Sequence, residues 1–285
     1  MDMIPPDLEQ LWNEARRYEE GGDPYHAVKL YKRLTRLAPD WFQPFLRLGL
    51  LYHGRREWKP AFHYFKKTVA LAPDCREAWW SLGIAATAQK KWRIARSVWS
   101  KFGLQELPRH PEGLRLTYDG TFEILWMQPL DPARAQVLSI PHPASGYHYR
   151  DVMLYERKPI GHHIVNKRRV PVYAEMGLFK HSPFQTFSCL LHTNRPSDIQ
   201  QLERLCHTAN LGFEVWSNAS RSMVMEHPQA FPEYYSRNML PPDQEEADHN
   251  QCLVAIAALH EAQVQRVLND WQIISLQQYS DLRAY

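Results

Sequence analysis

A short pattern of small and aromatic residues recurs three times in the first third of this 285-residue chain, at intervals of 34 residues. In each copy an alanine is followed four residues later by an aromatic residue: Ala27 and Tyr31, Ala61 and Phe65, Ala95 and Trp99. Residues four apart share one face of an α-helix. A repeat of roughly this length accommodates two helices that bury their apolar faces only when several copies stack. The spacing therefore predicts a stack of helical hairpins.

The second copy carries the most complete pattern. Its first helix contains Phe45, Leu48, Gly49 and Tyr52, its second contains Ala61 and Phe65, and Pro73 closes it. This pattern resembles the tetratricopeptide repeat (TPR), and we identify residues 7–108 as three such repeats. The resemblance implies a protein-binding groove and no reaction.

The resemblance also implies that residues of the first helices line the concave surface on which a partner binds. Repeat register places six residues there: Trp12, Arg16, Arg47, Leu50, Trp80 and Ile84. The tryptophans are the expected anchors, because large aromatic side chains dominate interface energies. The arginines are expected to pair with a carboxylate of the partner. In the alternative interpretation, these side chains are buried against the C-terminal domain or against a second copy of the chain.

Two glycines of the repeats indicate close helix packing. We expect Gly49 and Gly83 to let neighbouring backbones approach, while Phe65 and Trp99 fill the adjacent volume.

Residues 109–182 change from helical to alternating periodicity, which predicts a small, mostly antiparallel β module. Apolar residues alternate on both sides of Asp119 and Gly120, a dipeptide that favours the positive φ angles of a type I′ hairpin turn. Further strands are predicted at residues 135–140, 151–155, 162–165 and 170–173.

Residues 183–285 contain the order strand, helix, strand twice. The predicted elements are strands 184–191 and 213–216 around a helix at 197–210, then strands 252–259 and 273–278 around a helix at 261–271. This order resembles a ferredoxin-like split βαββαβ sandwich. An insertion at residues 218–250, too long for an ordinary hairpin loop, separates the halves. The predicted fold class is therefore multidomain: α-helical hairpins, then a small antiparallel β module, then a C-terminal α+β sandwich.

Charge is unevenly distributed along the chain. Residues 1–108 contain 18 Lys and Arg against 12 Asp and Glu, residues 109–182 contain 10 against 7, and residues 183–285 contain 6 against 12. The basic first part favours an acidic partner, although a solvated basic helix surface is the simpler interpretation. The acidic last part argues against RNA binding, as does its strand at 252–259, which lacks aromatic residues for base stacking.

The sequence also bears on the compartment. No apolar run is long enough to cross a membrane, and the first ten residues lack the basic start and apolar stretch of a secretory signal. The four cysteines are scattered without a CxxC pair, which suits reduced thiols. We expect a cytoplasmic protein that does not enter a membrane.

Residues capable of metal or covalent chemistry form no recognised motif. Two sets are candidate metal ligands: His142, His148, His162 and His163 in the β module, or His249, Cys252 and His260 in the last domain. Neither set has the spacing of a zinc site. Cys189 and Cys206 lie in apolar segments typical of core thiols. The sequence therefore predicts no catalytic residue, no cofactor and no metal.

Taken together, these features predict a non-enzymatic interaction protein. It would be an adaptor, a dedicated chaperone or an immunity-type inhibitor that captures a segment of a partner protein in the groove and makes a second contact through the C-terminal domain.

Two alternatives remain open. One is an enzyme or small-ligand sensor with its site in the β module or ferredoxin-like region and repeats used for recruitment. A pocket in which several of six residues converge would favour it: His142, His148, Tyr149, Arg150, Asp151 and His162. The other is a homo-oligomer, in which the acidic end of the insertion of one subunit lies in the basic groove of another.

Overall fold

The computed structural model describes residues 5–104, 107–165, 168–216, 224–225 and 250–285. The chain divides into two compact units, Met1–Glu106 and Leu107–Tyr285.

The described part of the first unit is a series of helical hairpins, as the sequence predicts. The helices are α1 (Pro6–Glu20), α2 (Pro24–Leu37), α3 (Phe42–Gly54), α4 (Trp58–Leu71), α5 (Arg76–Ala88) and α6 (Trp92–Lys101). The second helix of each pair begins at Pro24, Trp58 and Trp92, so the 34-residue period of the sequence is also the period of the structure. Alanines of the repeat pattern, among them Ala27 and Ala61, are fully buried.

Gly49 and Gly83 stand where neighbouring helices pack closely, as expected. A β-carbon on Gly49 would lie 2.6 Å from the ring of Phe65, and one on Gly83 would lie 2.5 Å from the ring of Trp99. Real β-carbons do not approach other atoms so closely. Each aromatic ring therefore occupies the space left by the missing side chain.

The second unit begins with a sheet that closes on itself. Its strands are β1 (Glu112–Tyr118), β2 (Thr121–Asp131), β3 (Arg134–Val137), β4 (Val152–Val165) and β5 (Arg168–Lys180). Consecutive strands pair antiparallel, and a parallel pairing of β1 with β5 completes a ring of five strands. Leu114, Leu125, Met153 and Tyr155 belong to its buried core. The β1–β2 hairpin turns at Asp119 and Gly120, whose φ angles are 47° and 72°.

One strand assignment in this module is wrong. The segments predicted as separate strands at 151–155 and 162–165 belong to the single long strand β4. Its pairing with β5 continues through register shifts between Glu156 and Pro159 and between Pro159 and Gly161. These irregularities interrupt the alternation of side chains, which in the sequence looks like a break between strands.

The second sheet contains β6 (Gln185–Leu191), β7 (Gly212–Val215), β9 (Cys252–Ala258) and β10 (Tyr279–Ala284), in the order β10-β6-β9-β7. All its pairings are antiparallel. The helices α7 (Pro196–Thr208) and α8 (Glu261–Ser275) connect β6 to β7 and β9 to β10. Leu202 of α7 and Trp271 of α8 share a core with Phe187 and Val254 of the sheet.

The end of this domain differs from the prediction. Residues 273–275 continue α8, and the last strand lies later, at Tyr279–Ala284. Ile273 and Ile274 suggest a strand because β-branched residues favour it, but they lie exposed on the last helical turn. Leu276, in the left-handed conformation with φ 58°, ends the helix.

Most of the insertion predicted at residues 218–250 lies outside the described residues. Its described part includes a two-residue strand, β8 (Val224–Met225), which pairs with β4. Of the helices that the structure describes, none combines the length and the apolar character of a membrane span.

Candidate functional site

Trp12 is one of the six residues predicted to contact a partner. It lies on α1, and its indole packs against Tyr31 and Trp41, with ring centroids 5.4 and 5.1 Å apart. The side chain is half-buried. Aromatic neighbours thus fix the orientation of Trp12 and leave part of its surface accessible.

Trp80 on α5 is held in the same way. Its ring makes edge contacts with Trp99 and Phe102, at centroid distances of 5.4 and 5.2 Å. Trp80 is half-buried, as is Leu50 on α3.

Arg47 has a partner within its own unit. Its Nε donates a 3.0 Å hydrogen bond to Glu19 Oε2, and its Nη2 donates to Glu19 Oε1. The Tyr31 hydroxyl donates a 2.7 Å hydrogen bond to the same carboxylate, and burial together with this bond raises the pKa of Tyr31. The guanidinium thus joins α1 to α3, and the pairing of Arg47 with a partner carboxylate stays a prediction.

Arg16 is exposed, and its Nε donates a 3.1 Å hydrogen bond to Glu20 Oε1, one helical turn away. Exposed pairs of this type contribute little to stability, so Arg16 is able to exchange Glu20 for another carboxylate.

Ile84 corrects the prediction, because it is fully buried. Helix α5 has buried residues on most of its circumference, including Leu82, Ala85 and Ala86. A residue one turn beyond Trp80 therefore lies in the interior and cannot contact a partner.

The basic residues of the repeats concentrate on the second helices. Together α2, α4 and α6 contain ten Lys and Arg and no Asp or Glu. Nine of these ten residues are exposed: Lys29, Arg33, Arg36, Lys59, Lys66, Lys67, Arg93, Arg96 and Lys101. We call the surface that they form the basic second-helix layer.

The buried cysteines are core residues, as predicted. Burial raises the pKa of Cys189 and of Cys206 to about 12, so both thiols are protonated at neutral pH and are poor nucleophiles.

Within the described ranges, the structure does not bring together the predicted set of His142, His148, His162 and His163. Among the described residues, one group of ligand-type side chains converges: His148, Asp151 and His181. His148 and Asp151 were candidates for the ligand-binding alternative, but His181 was not recognised from the sequence. His142 lies apart from this group, beside Tyr118 and Trp216; burial lowers its pKa. His249 lies outside the described residues.

Tyr149 and Arg150, two further candidates for that alternative, have structural contacts. The Tyr149 ring packs edge-on against the Phe184 ring, with ring centroids 5.3 Å apart. The Arg150 guanidinium lies over the Phe184 ring. Arg150 also donates a 2.8 Å hydrogen bond to Asn210 Oδ1.

Comparison with known proteins gives similarity to solved structures only, since no protein-family model and no curated protein matches the chain. A chain of the CopN–Scc3 complex is 18% identical over 37% of this chain and 64% of its own length, with a TM-score of 0.33. A double mutant of MamA, RS-1 ArsTM, is 24% identical over 33% of this chain and 53% of its own, with a TM-score of 0.32. This chain thus spans less than two thirds of either structure.

The second TPR of Spaghetti (RPAP3), bound to the HSP90 peptide SRMEEVD, is also similar to part of the chain. It is 15% identical over 35% of this chain and 94% of its own length, with a TM-score of 0.32.

Proposed function

We propose that this protein binds a segment of a partner protein on the surface of the first helices α1, α3 and α5, which we call the first-helix surface. It would act as an adaptor, a dedicated chaperone or an immunity-type inhibitor. The observation that carries the proposal is the setting of Trp12 and Trp80, each half-buried on a first helix and held by two aromatic neighbours. A side chain that is already fixed loses little conformational entropy when a partner binds. Leu50, on the helix between them, supplies a third apolar contact.

The charge of the repeats supports an acidic partner segment. The basic second-helix layer carries charges of one sign without acidic residues on the same helices. Such a field accelerates encounter with an anionic segment even when the basic side chains lie outside the final contact. Arg16, held only by an exposed pair, is a cation of the first helices that is available to such a segment.

We further propose that residues 183–285 form a ferredoxin-like domain that supplies the second contact. The order β10-β6-β9-β7 and the two β-α-β connections support this assignment. The function does not follow from the fold, so the second contact must be mapped independently.

The experiment compares the proteins retained by the tagged wild-type chain with those retained by two variants. Leu50→Asp places a charge on the first-helix surface at a half-buried position, and Tyr25→Ala removes an aromatic residue that is 73% exposed on α2. The proposal requires a partner retained by wild type and by Tyr25→Ala but lost from Leu50→Asp. Thermal melting of each variant shows whether the loss reflects binding or unfolding.

Retention of the same proteins by all three forms would contradict the proposal, because a charge on the first-helix surface would then have no effect. Light scattering of the wild type tests the homo-oligomer alternative: in that case the retained partner is a second copy of the chain.

A further inference from the structure

Three side chains with metal-binding atoms meet where β4 begins and β5 ends. In the register of these antiparallel strands, Val152 at the start of β4 is opposite Lys180 at the end of β5. Asp151 immediately precedes the first strand and His181 immediately follows the second, so the ladder itself places them side by side. His148 reaches the same point from the loop that leads into β4.

The distances suit a common ligand. Asp151 Oδ1 lies 3.7 Å from His181 Nδ1, and Asp151 Oδ2 lies 4.0 Å from His148 Nδ1. One ligand atom from each of the three residues lies within 4.8 Å of the others. Two atoms bound to one zinc ion at about 2.0–2.1 Å are roughly 3.3 Å apart. Small side-chain rotations are therefore sufficient to enclose an ion.

The carboxylate of Asp151 is already oriented. Its side chain has no exposed surface, and its two oxygens accept backbone hydrogen bonds from His148 N at 2.8 Å and Ser182 N at 2.6 Å. Hydrogen bonds of this kind orient the carboxylate ligands of metal sites.

The charge of Asp151 also needs a partner, since a buried carboxylate is costly without one. Within the described part of the chain, the basic groups that lie within 4.0 Å of it are the imidazoles of His148 and His181. A bound divalent cation supplies the compensating positive charge directly at the carboxylate.

The two histidines lie at the edge of the protein. His148 Nδ1 is buried and has no hydrogen-bond partner among the described residues, so this nitrogen is available for coordination in the tautomer that carries its proton on Nε2. The side chain of His181 is 61% exposed and that of His148 is 36% exposed. Both imidazoles therefore border solvent.

We propose that His148, Asp151 and His181 bind a divalent transition-metal ion such as Zn²⁺. Two imidazoles and one carboxylate are ligands typical of Zn²⁺ and its first-row neighbours, whereas Mg²⁺ and Ca²⁺ prefer oxygen ligands throughout. Three protein ligands leave a coordination position for water, as in zinc sites that bind or activate a ligand. The site is independent of the first-helix surface of the repeats and stands whether or not that surface binds a partner.

The test uses the full chain without a histidine tag, freed of metal by dialysis against EDTA. Isothermal titration with Zn²⁺ is expected to give one site per chain, and titration with Mg²⁺ is expected to give none. Loss of a hydrogen-bonded neighbour of a ligand typically costs about 10- to 100-fold in metal affinity. Loss of a ligand itself should cost at least as much, so His181→Gln and His148→Gln should each weaken Zn²⁺ binding at least about tenfold.

His110→Gln is the matched control, because His110 is an exposed histidine of the same unit and should leave Zn²⁺ affinity unchanged. His181 is mostly exposed, so its replacement should preserve the fold, which circular dichroism checks directly. A second readout is thermal melting: Zn²⁺ should raise the melting temperature of wild type and of His110→Gln, but not of His181→Gln. Absence of Zn²⁺ binding by the wild type, or equal affinity in all variants, would overturn the proposal.

Discussion

The indole of Trp99 fills the space beside the α-carbon of Gly83, so closely that a β-carbon there would lie 2.5 Å from the ring. Trp99 is almost fully buried and cannot move aside without disturbing its neighbours. We predict that Gly83→Ala destabilises the helical unit by about 1–3 kcal/mol, as overpacking does in other cores. Urea denaturation followed by far-UV circular dichroism measures the effect.

Gly54 provides the control for this prediction. It also lies in a first helix, but a β-carbon there meets nothing within 4 Å. Gly54→Ala should be neutral or slightly stabilising, because alanine is the better helix former. Equal unfolding midpoints for the two alanine variants would show that the helices have room at Gly83.

Arg47 and Arg16 provide a second comparison, since both occupy first helices and both have a glutamate partner. Glu19, the partner of Arg47, is only 13% exposed and also accepts the Tyr31 hydroxyl. Arg47→Ala leaves this carboxylate nearly buried without a cation and should cost about 1–3 kcal/mol of the free energy of unfolding. Arg16→Ala breaks an exposed pair and should change the free energy of unfolding by less than about 0.5 kcal/mol. Similar losses in urea denaturation would contradict the structural role of Arg47.

The elements of this chain could be predicted where local pattern decides them. The positions of the six helices follow from the 34-residue period, and the turn at Asp119 and Gly120 follows from the φ angles that this dipeptide tolerates. In both cases the determining residues are close in sequence, so periodicity and turn chemistry contain the answer.

The surroundings of individual side chains could not be predicted in the same way. Repeat register places Arg47 on a first helix but does not reveal that Glu19, 28 residues earlier, faces it. The closeness of His181 to Asp151 depends on the β4–β5 register, which shifts several times between them. Counting along the sequence therefore cannot find this pair. The burial of Ile84 is also hidden from the sequence, because it depends on the tertiary packing around α5.

The basic second-helix layer leads to a prediction about association rates. Lys66→Glu combined with Lys67→Glu reverses two exposed charges on α4 and should slow association with an acidic partner severalfold, with little change in dissociation. Surface plasmon resonance with the partner recovered by affinity purification measures both rates. Arg204→Glu with Arg266→Glu makes the same change of charge on exposed helix positions of the second unit and serves as the control. An equal reduction of the association rate by both double variants would contradict the prediction, because it would indicate a general effect of net charge.

His53 makes the stability of the helical unit depend on pH. It is buried beside Trp58 and Phe65, and burial lowers its pKa from 6.5 to about 4. As the pH falls, His53 of the unfolded chain is protonated before His53 of the folded protein. The free energy of unfolding therefore decreases as the pH falls from 6.5 toward 4. Between pH 7 and pH 5, this effect should lower the free energy of unfolding by about 2 kcal/mol. Urea denaturation at both pH values should show a smaller loss for His53→Phe than for wild type. His63→Gln, which replaces an exposed histidine of α4, should keep the wild-type loss, and an unchanged loss in His53→Phe would refute the assignment.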